Sequence, residues 1–413
     1  MKQSTSSSKT LTPGEAPAKR SAVFILILGI LSAFGPLSLD MYLPALPVLT
    51  REFETTASLA QLSITACLIG LALGQLFAGP LSDKLGRRKP LIVSLFLYAA
   101  ASLLCTFAPS ITTLLVLRLL QGIGGSAGIV ISRAMARDLY AGSELTRFFA
   151  VLMLVNGTAP VLAPVLGGFL LTLMPWRGVF VVLALIGVVM LLAVAFRLEE
   201  TLPAERRSTG GLVQTFSTFG RLLKDRSFMG FALTQASTAI ALFSYISGSS
   251  FVFQNIYDVS PQGFSMIFAL NGLGMVLASQ ITGRLAGRVR TEKLLGVSLL
   301  LIAFGAAGLL TAILMEAPLA FIMIPLFVTI ASIGGVNITC NALALENQKQ
   351  HAGSASAILG LLPYTAGALA SPLVGIAGES SALPMGLLVA AAALLALLFF
   401  LLTRSRGRQT EAA

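Results

Sequence analysis

The sequence predicts an all-α membrane protein, twelve transmembrane helices in two pseudo-symmetric six-helix bundles. Three observations carry this. Of 413 residues, 56% are hydrophobic and only 11% charged, against about 25% charged in soluble domains; no water-soluble fold hides so much apolar surface. The apolar residues form uninterrupted helix-length runs, not the alternating ten-residue segments of a β-barrel. A polar stretch, 198–227, divides the runs six and six.

At about 20 residues per span, the helices are expected near 22–46, 57–78, 90–108, 111–132, 147–172 and 177–197 in the first half. The second half repeats the pattern near 228–252, 263–283, 293–315, 318–341, 353–377 and 382–402. Residues 1–20 are Ser/Thr/Pro-rich and read as a disordered cytoplasmic tail before an uncleaved first span. The expected units are therefore 1–20 tail, 21–197 first bundle, 198–227 central loop, 228–403 second bundle and 404–413 tail.

Charge sets the orientation. One set of connections holds Lys84, Arg87, Arg88, Lys89, Arg133, Arg137, Arg147, Arg284, Arg288, Arg290, Lys293 and Lys349, and the tails and central loop add thirteen more basic residues. The opposite connections hold only Arg51 and Arg177. Basic loops stay in the cytoplasm, so both termini and the central loop are expected there. The net charge of +11 is thereby a topology signal, not a nucleic-acid surface. Cys67, Cys105 and Cys340 all lie in apolar runs, and His351 is the only histidine. No His-based metal centre or catalytic triad can be assembled, so no cofactor and no enzyme are expected.

Two echoes cross the central loop. Gly79-x-Leu81 with its basic followers reappears as Gly283-x-Leu285, and Ala163-Pro164-x-x-Gly167 as Ser371-Pro372-x-x-Gly375, at offsets of 204 and 208 residues. Together they indicate a duplicated six-helix unit, the plan of transporters with two parallel halves around a central cavity.

Asp40 is the only carboxylate well inside a span, within Pro36-Leu-Ser-Leu-Asp40-Met-Tyr-Leu-Pro44-Ala-Leu-Pro47. Intramembrane ionisable groups mark functional sites. Arg118 is the only basic residue deep in a span. With the first span ending near residue 47, both lie about 10 Å from the same membrane face, at 1.5 Å per residue. They are expected to share a cavity, Asp40 exchanging a proton and Arg118 favouring its ionised form. The plain alternatives are an interfacial carboxylate beside a Pro-bent helix and a structural arginine donating to freed carbonyls. The fifth span carries Asn156-Gly157-Thr-Ala-Pro160-Val-Leu-Ala-Pro164-Val-Leu-Gly167-Gly168, which suits a kinked, closely packed helix. Gln121-Gly122-x-Gly124-Gly125 is no nucleotide loop, since no strand precedes it. Tyr42, Gln121, Phe243, Tyr245, Phe251, Phe253 and Tyr364 are the substrate-cavity candidates. In the loop Gly79-Pro-Leu-Ser-Asp83-Lys-Leu-Gly86-Arg87-Arg88, Asp83 is expected to face the start of the eleventh helix near Gly353-Ser354. Arg87 and Arg88 would pair with acids such as Asp138 or with lipid phosphates.

These motifs together resemble the major facilitator superfamily. The loop at 79–90 looks like its signature between second and third spans. Leu114-x-x-x-Arg118-x-x-Gln121-Gly122 looks like its fourth-span motif, and Gly157, Pro160, Pro164, Gly167 and Gly168 look like the antiporter motif of its exporters. Leu39-Asp40-Met-Tyr-Leu-Pro-Ala-Leu-Pro47, Met135-Ala-Arg137-Asp138-Leu-Tyr140, Trp176-Arg177-x-x-Phe180 and Glu200-Thr-Leu-Pro203 resemble the bicyclomycin-resistance (Bcr/CflA) branch more narrowly. The resemblance implies a bacterial inner-membrane exporter of small antibiotics, driven by the proton gradient, with Asp40 as proton carrier and Arg118 as its partner. A metabolite exporter, for example of cysteine, or a proton-coupled symporter is the alternative on the same fold. The implied partners are a small drug or metabolite, protons and lipid, with no nucleic acid, and the implied state is a monomer. The chain departs from the usual pattern in three places. Ala163 precedes Pro164 where Gly is usual, Gly287 stands where the second-half loop would need an Asp, and the first span has no second acid.

Overall fold

The computed structural model describes residues 22–140, 142–207, 220–346, 348 and 352–411. The tail 1–20, residues 208–219 of the central loop, Lys349 and His351 lie outside the described residues. The protein is an all-α membrane fold. Among the described residues, eleven helices are long and apolar enough to cross a bilayer, and a bent helix pair, taken as one span, makes a twelfth. The spans of the first half are the composite first span, Ala57–Leu85, Arg88–Thr106, Ile111–Leu139, Gly142–Leu173 and Arg177–Arg197. Those of the second half are Arg226–Phe251, Pro261–Leu285, Thr291–Leu314, Leu319–Glu346, Ala352–Val374 and Leu383–Glu411. The seventh is prolonged by a π turn, Val252–Ile256.

The first span is where local sequence matters most. It runs as Ala22–Ser32, Phe34–Asp40, a 3₁₀ turn Leu43–Ala45 and Leu46–Glu52, bent by 44°. Pro36, Pro44 and Pro47 each remove a backbone donor, so one continuous helix cannot form. The chain nevertheless recovers helical geometry after each break and ends at Glu52, not near residue 47. Glu52 is then tied to the sixth span by Trp176 Nε1 and by Arg177, which ion-pairs with it.

Several helices outlast their apolar runs. The second reaches Leu85, the fourth Leu139, the tenth Glu346 and the twelfth Glu411, because backbone hydrogen bonding continues past the lipid boundary into water. The motif at 79–90 is consequently not a loop throughout. Gly79–Leu85 closes the second helix, Arg88 opens the third, and the break is Gly86–Arg87. Gly86 has φ +90°, which favours glycine, and a Cβ there would meet Glu200 Oε2 at 2.4 Å, so that the carboxylate would have to shift.

We call the end that carries Arg87, Arg88, Arg288 and Arg290 the basic end, and the opposite one the far end. The two halves meet where the second span packs on the eleventh and the fifth on the eighth. Among the described residues, every hydrogen bond between the halves lies toward the far end. Ser58 Oγ donates to Pro372 O (3.0 Å), Gln61 Nε2 to Ser247 O (3.2 Å) and Thr65 Oγ1 to Ala368 O (3.2 Å). Gln254 Nε2 donates to Pro44 O and Gln262 Nε2 to Gly168 O, both at 3.1 Å. The Ala368 carbonyl is the one that Pro372 cannot satisfy within its own helix. Glycine permits this closeness. A Cβ on Gly375 would meet Ser58 N at 2.6 Å, and one on Gly168 would meet Ser265 Oγ at 2.3 Å. The far end is thus sealed.

Candidate functional site

In the first, fifth, seventh, eighth and eleventh spans, residues nearer the basic end than the seal line a cavity of about 160 Å³ between the halves; the second span supplies seal donors but no lining residue. Below Pro44 stand Asp40, Leu39 and Pro36; below Ser247, Phe243 and Leu242; below Ala368, Tyr364; below Gly168, Pro160. Tyr245, Ile246, Phe268, Gly272, Met275 and Ile330 complete the lining. Asp40 is its only charged side chain. It forms no ion pair among the described residues and is 5% exposed. The wall opposite is aromatic. Tyr245 stacks on Phe268 at 5.1 Å between ring centroids, and Asn271 Nδ2 donates to its hydroxyl at 3.0 Å. Tyr364 leans on Phe243 at 6.1 Å. The arrangement can hold a small, largely apolar solute with one ionisable carboxyl in reach.

Arg118 lies elsewhere. It is fully buried in the first half. Its Nη1 donates to Gln121 Oε1 (2.5 Å) and its Nε to Ser63 O (3.4 Å), and its guanidinium sits over the Tyr42 ring at 4.8 Å. Its Nη2 has no hydrogen-bond partner. Gln121 Nε2 in turn donates to Ser102 Oγ at 2.8 Å, and Tyr42 shares a hydrogen bond with Ser63. Asp40 and Arg118 are not brought together. The reason is facing: Asp40 lines the cavity, whereas Arg118 packs within the first half on Tyr42 and Ser63. The two face different surroundings: Asp40 the cavity, Arg118 the ring of Tyr42, two residues further along the first span.

Of the cavity candidates, Phe243, Tyr245 and Tyr364 line the cavity. Tyr42 and Gln121 instead surround Arg118. Phe251 and Phe253 are buried among core residues near the far end. In the fifth span, Pro160 lines the cavity. Gly157 approaches Val276 of the eighth span, where a Cβ would come within 3.2 Å, and Pro164 is buried. A Cβ on Gly167 would overlap Met41 O at 1.8 Å, so this glycine lets the fifth span press on the break in the first.

At the basic end, Arg87 is enclosed by acceptors. It ion-pairs with Asp83 and, through Nε at 2.8 Å, with Asp138, while its Nη1 reaches Ser82 Oγ at 2.8 Å. Burial works against its charge, but Asp138 and Asp83 outweigh it and hold the guanidinium above its ordinary pKa. Glu200 accepts from the backbone N–H of Arg87 (2.7 Å) and of Arg88 (3.2 Å), and Thr201 Oγ1 donates to Asp138 (3.1 Å). Asp83 therefore bonds within its own half. No bond joins it to the start of the eleventh helix among the described residues.

Sequence reasoning missed Phe268, Met275 and Ile330, which look like lipid-facing residues in any apolar run. It also missed the seal donors Gln61, Gln254 and Gln262, although a glutamine inside or beside an apolar span was a usable signal. Among the described residues no cluster of His, Cys, Asp and Glu could hold a metal ion.

Known proteins agree with this architecture. The family model described as Major Facilitator Superfamily matches residues 28–372. An uncharacterized MFS-type transporter, YdgK, of Bacillus subtilis is 46% identical over 95% of this chain and 98% of its own length. A bicyclomycin resistance protein homolog of Haemophilus influenzae is 30% identical over 95% of this chain and 99% of its own. Among solved structures, a bacterial homolog of the human lysosomal transporter Spinster, inward-facing and unoccupied, superposes with a TM-score of 0.74. It shares 15% identity and covers 92% of this chain and 96% of its own, a likeness of fold. The chain belongs to the Major Facilitator Superfamily: it is a secondary active membrane transporter, not an enzyme.

Proposed function

We propose that the protein is a drug–proton antiporter of the bicyclomycin-resistance type, exporting small antibiotics of largely apolar or zwitterionic character across a bacterial inner membrane as a monomer. The observation that carries this reading is Asp40, the sole charged side chain lining an otherwise apolar cavity between the halves. The 30% identical relative, whose name refers to bicyclomycin resistance, supports the substrate class. In this reading the basic end and both termini are cytoplasmic, and the sealed far end makes the described state inward-facing.

Solute enters from the basic end and packs against Phe243, Tyr245 and Phe268 beside an ionised Asp40. The far-end hydrogen bonds then break, and the halves rock about the fifth and eleventh spans. A proton reaching Asp40 from outside weakens the solute's hold and accompanies the return. Proton and solute thus compete, each lowering the other's affinity by the same factor. Arg118, without a carboxylate partner here, favours an ionised Asp40 in any state where the first span's break brings the two closer.

The test is proton release from purified, detergent-solubilised protein on adding bicyclomycin or chloramphenicol. Wild type should release protons and Asp40→Asn should not. Uphill export by Asp40→Asn at the wild-type rate would overturn the mechanism.

A further inference from the structure

The mouth of the cavity carries charge that this transport cycle does not use. Arg133 and Arg137 stand one turn apart on the fourth span, both exposed. Like charges at that spacing repel. Among the described residues neither guanidinium has a carboxylate partner. Arg137 Nε donates only to the Arg133 carbonyl (3.4 Å), and the adjacent Asp138 is held by Arg87 and Thr201.

The exposure of Arg133 is toward the cavity, not toward lipid. Arg133 lies one turn beyond Ile129, whose Cδ1 packs 3.2 Å from the Cβ position of Gly35 in the first span. That same point is 3.9 Å from the Tyr364 hydroxyl. Tyr364 lines the cavity, and Arg133 on the other half is near enough for its charge to reach the tyrosine hydroxyl. From this level the first span rises five residues to Asp40 toward the far end. The fourth runs four residues to Arg133 toward the basic end. The acid and the base are therefore about 13 Å apart along the cavity, at 1.5 Å per residue, before the reach of the arginine is counted.

We propose that Arg133, backed by Arg137, is a specificity determinant that favours small organic anions and zwitterions at the mouth: an apolar body bearing a carboxylate, sulfonate or similar group. A zwitterion fits best, with its anion at Arg133, its body against the aromatic wall and its ammonium toward Asp40. The inference rests on the cavity being the solute path. It deepens the export reading by naming the charge the solute carries. Lipid phosphates offer the same oxygen chemistry at the basic end, so the experiment must separate the two sources.

The reporter is Tyr364→Cys in the full chain, in neutral detergent, with Phe243→Cys as a second reporter should the first fail to fold. The native cysteines are fully buried and stay silent. Two methanethiosulfonates, one bearing a sulfonate and one a trimethylammonium, are each timed against their own rate on free mercaptoethanol. Adding Arg133→Gln should lower the anion-over-cation rate ratio about tenfold, the size of local concentration effects in charged clefts. Arg133→Lys should largely keep the ratio, and 1 M salt should suppress the difference, since the screening length there is about 3 Å. A change below twofold on Arg133→Gln overturns the proposal. So does a cysteine that reacts with neither reagent, which would mean that water does not reach the mouth. Loss of the difference on adding phosphatidylglycerol also overturns it and assigns the arginines to lipid headgroups. Thiol modification needs neither transport nor a proton gradient, so antiport through Asp40 can fail while this result stands, and the reverse.

Discussion

Two connections at the basic end descend from one pattern and have become different objects. In the first half, Arg87 is 8% exposed at its side chain and is gripped by Asp83, Asp138 and Ser82, while Glu200 reaches from the start of the central segment to hold the backbone of Arg87 and Arg88. In the second half, 204 residues on, Arg284, Arg288 and Arg290 are all exposed. The ion pair there, Arg290 with Glu292 at 3.1 Å, leaves the two side chains 75% and 47% exposed. Gly283 and Gly287 face open space. Both connections are basic, and basic residues are sufficient to keep a loop on one side of a membrane. Only the first has acids placed to convert that charge into structure. Topology and latching are therefore separable properties, and the separation can be attacked by mutation.

The largest effect should follow Arg87→Ala. It leaves Asp138, at 16% side-chain exposure, with Thr201 as its remaining partner. Removing one member of a buried pair is costly because the other stays desolvated. We expect a loss of about 2–3 kcal/mol, read as a lower unfolding temperature in detergent. Arg288→Ala, in the other connection, should change stability by less than about 0.5 kcal/mol. Equal losses would show that the two connections are not different in kind.

The next effect belongs to Glu200→Gln. Burial pushes the Glu200 carboxyl up, but the N–H groups of Arg87, Leu202 and Arg88, with the charge of Arg207, outweigh it and hold the group below its ordinary range. A depressed pKa in the folded state contributes stability that is complete above the unfolded value, about 4.3, and is lost as pH falls through the folded value. At pH 7 the substitution should cost about 1 kcal/mol, since it weakens charge-assisted hydrogen bonds without leaving a void. The gap between wild type and variant should narrow in acid, below about pH 4. A pH-independent gap would mean that Glu200 acts by shape and not by charge.

How much of this was legible depended on whether a residue's chemistry contrasted with its surroundings. The twelve spans were readable because apolar runs are long, and Asp40 stood out as a carboxylate in such a run. Phe268, Met275 and Ile330 were not readable, because a cavity-lining apolar side chain and a lipid-facing one are the same in sequence. The relation of Asp40 to Arg118 was only partly readable, because the first span is longer and more broken than its prolines indicate. Pro44 and Pro47 read as the end of the first span, whereas the chain turns through Leu43–Ala45 and continues to Glu52. Across that break Asp40 faces the cavity while Tyr42, two residues on, faces Arg118. The latch was half readable. Arg87 with Asp138 followed from charge, but Asp83 pairs with Arg87 one turn away, and the backbone contacts of Glu200 depend on a turn at Gly86 that no charge pattern specifies.

The smallest expected effect is the sharpest test of why the second connection lacks a latch. Gly287 occupies the place of Asp83, and the missing acid could be taken as the whole difference. The same offset puts Thr291 at the place of Arg87, so an acid at 287 would find no guanidinium one turn on. Its nearest basic neighbours, Arg288 and Arg290, are exposed, and exposed pairs contribute little. Gly287→Asp should therefore alter the unfolding free energy by less than about 0.5 kcal/mol. Adding Thr291→Arg should produce a small interaction beyond the sum of the two single changes, because an acid and a guanidinium are then both present in the connection that follows Leu285. Without an enclosing Asp138 or Glu200 that interaction should stay near about 0.3–0.5 kcal/mol. If Gly287→Asp alone stabilises the protein by several degrees, a single acid is sufficient for a latch, and the carboxylates of the central segment and fourth span are dispensable.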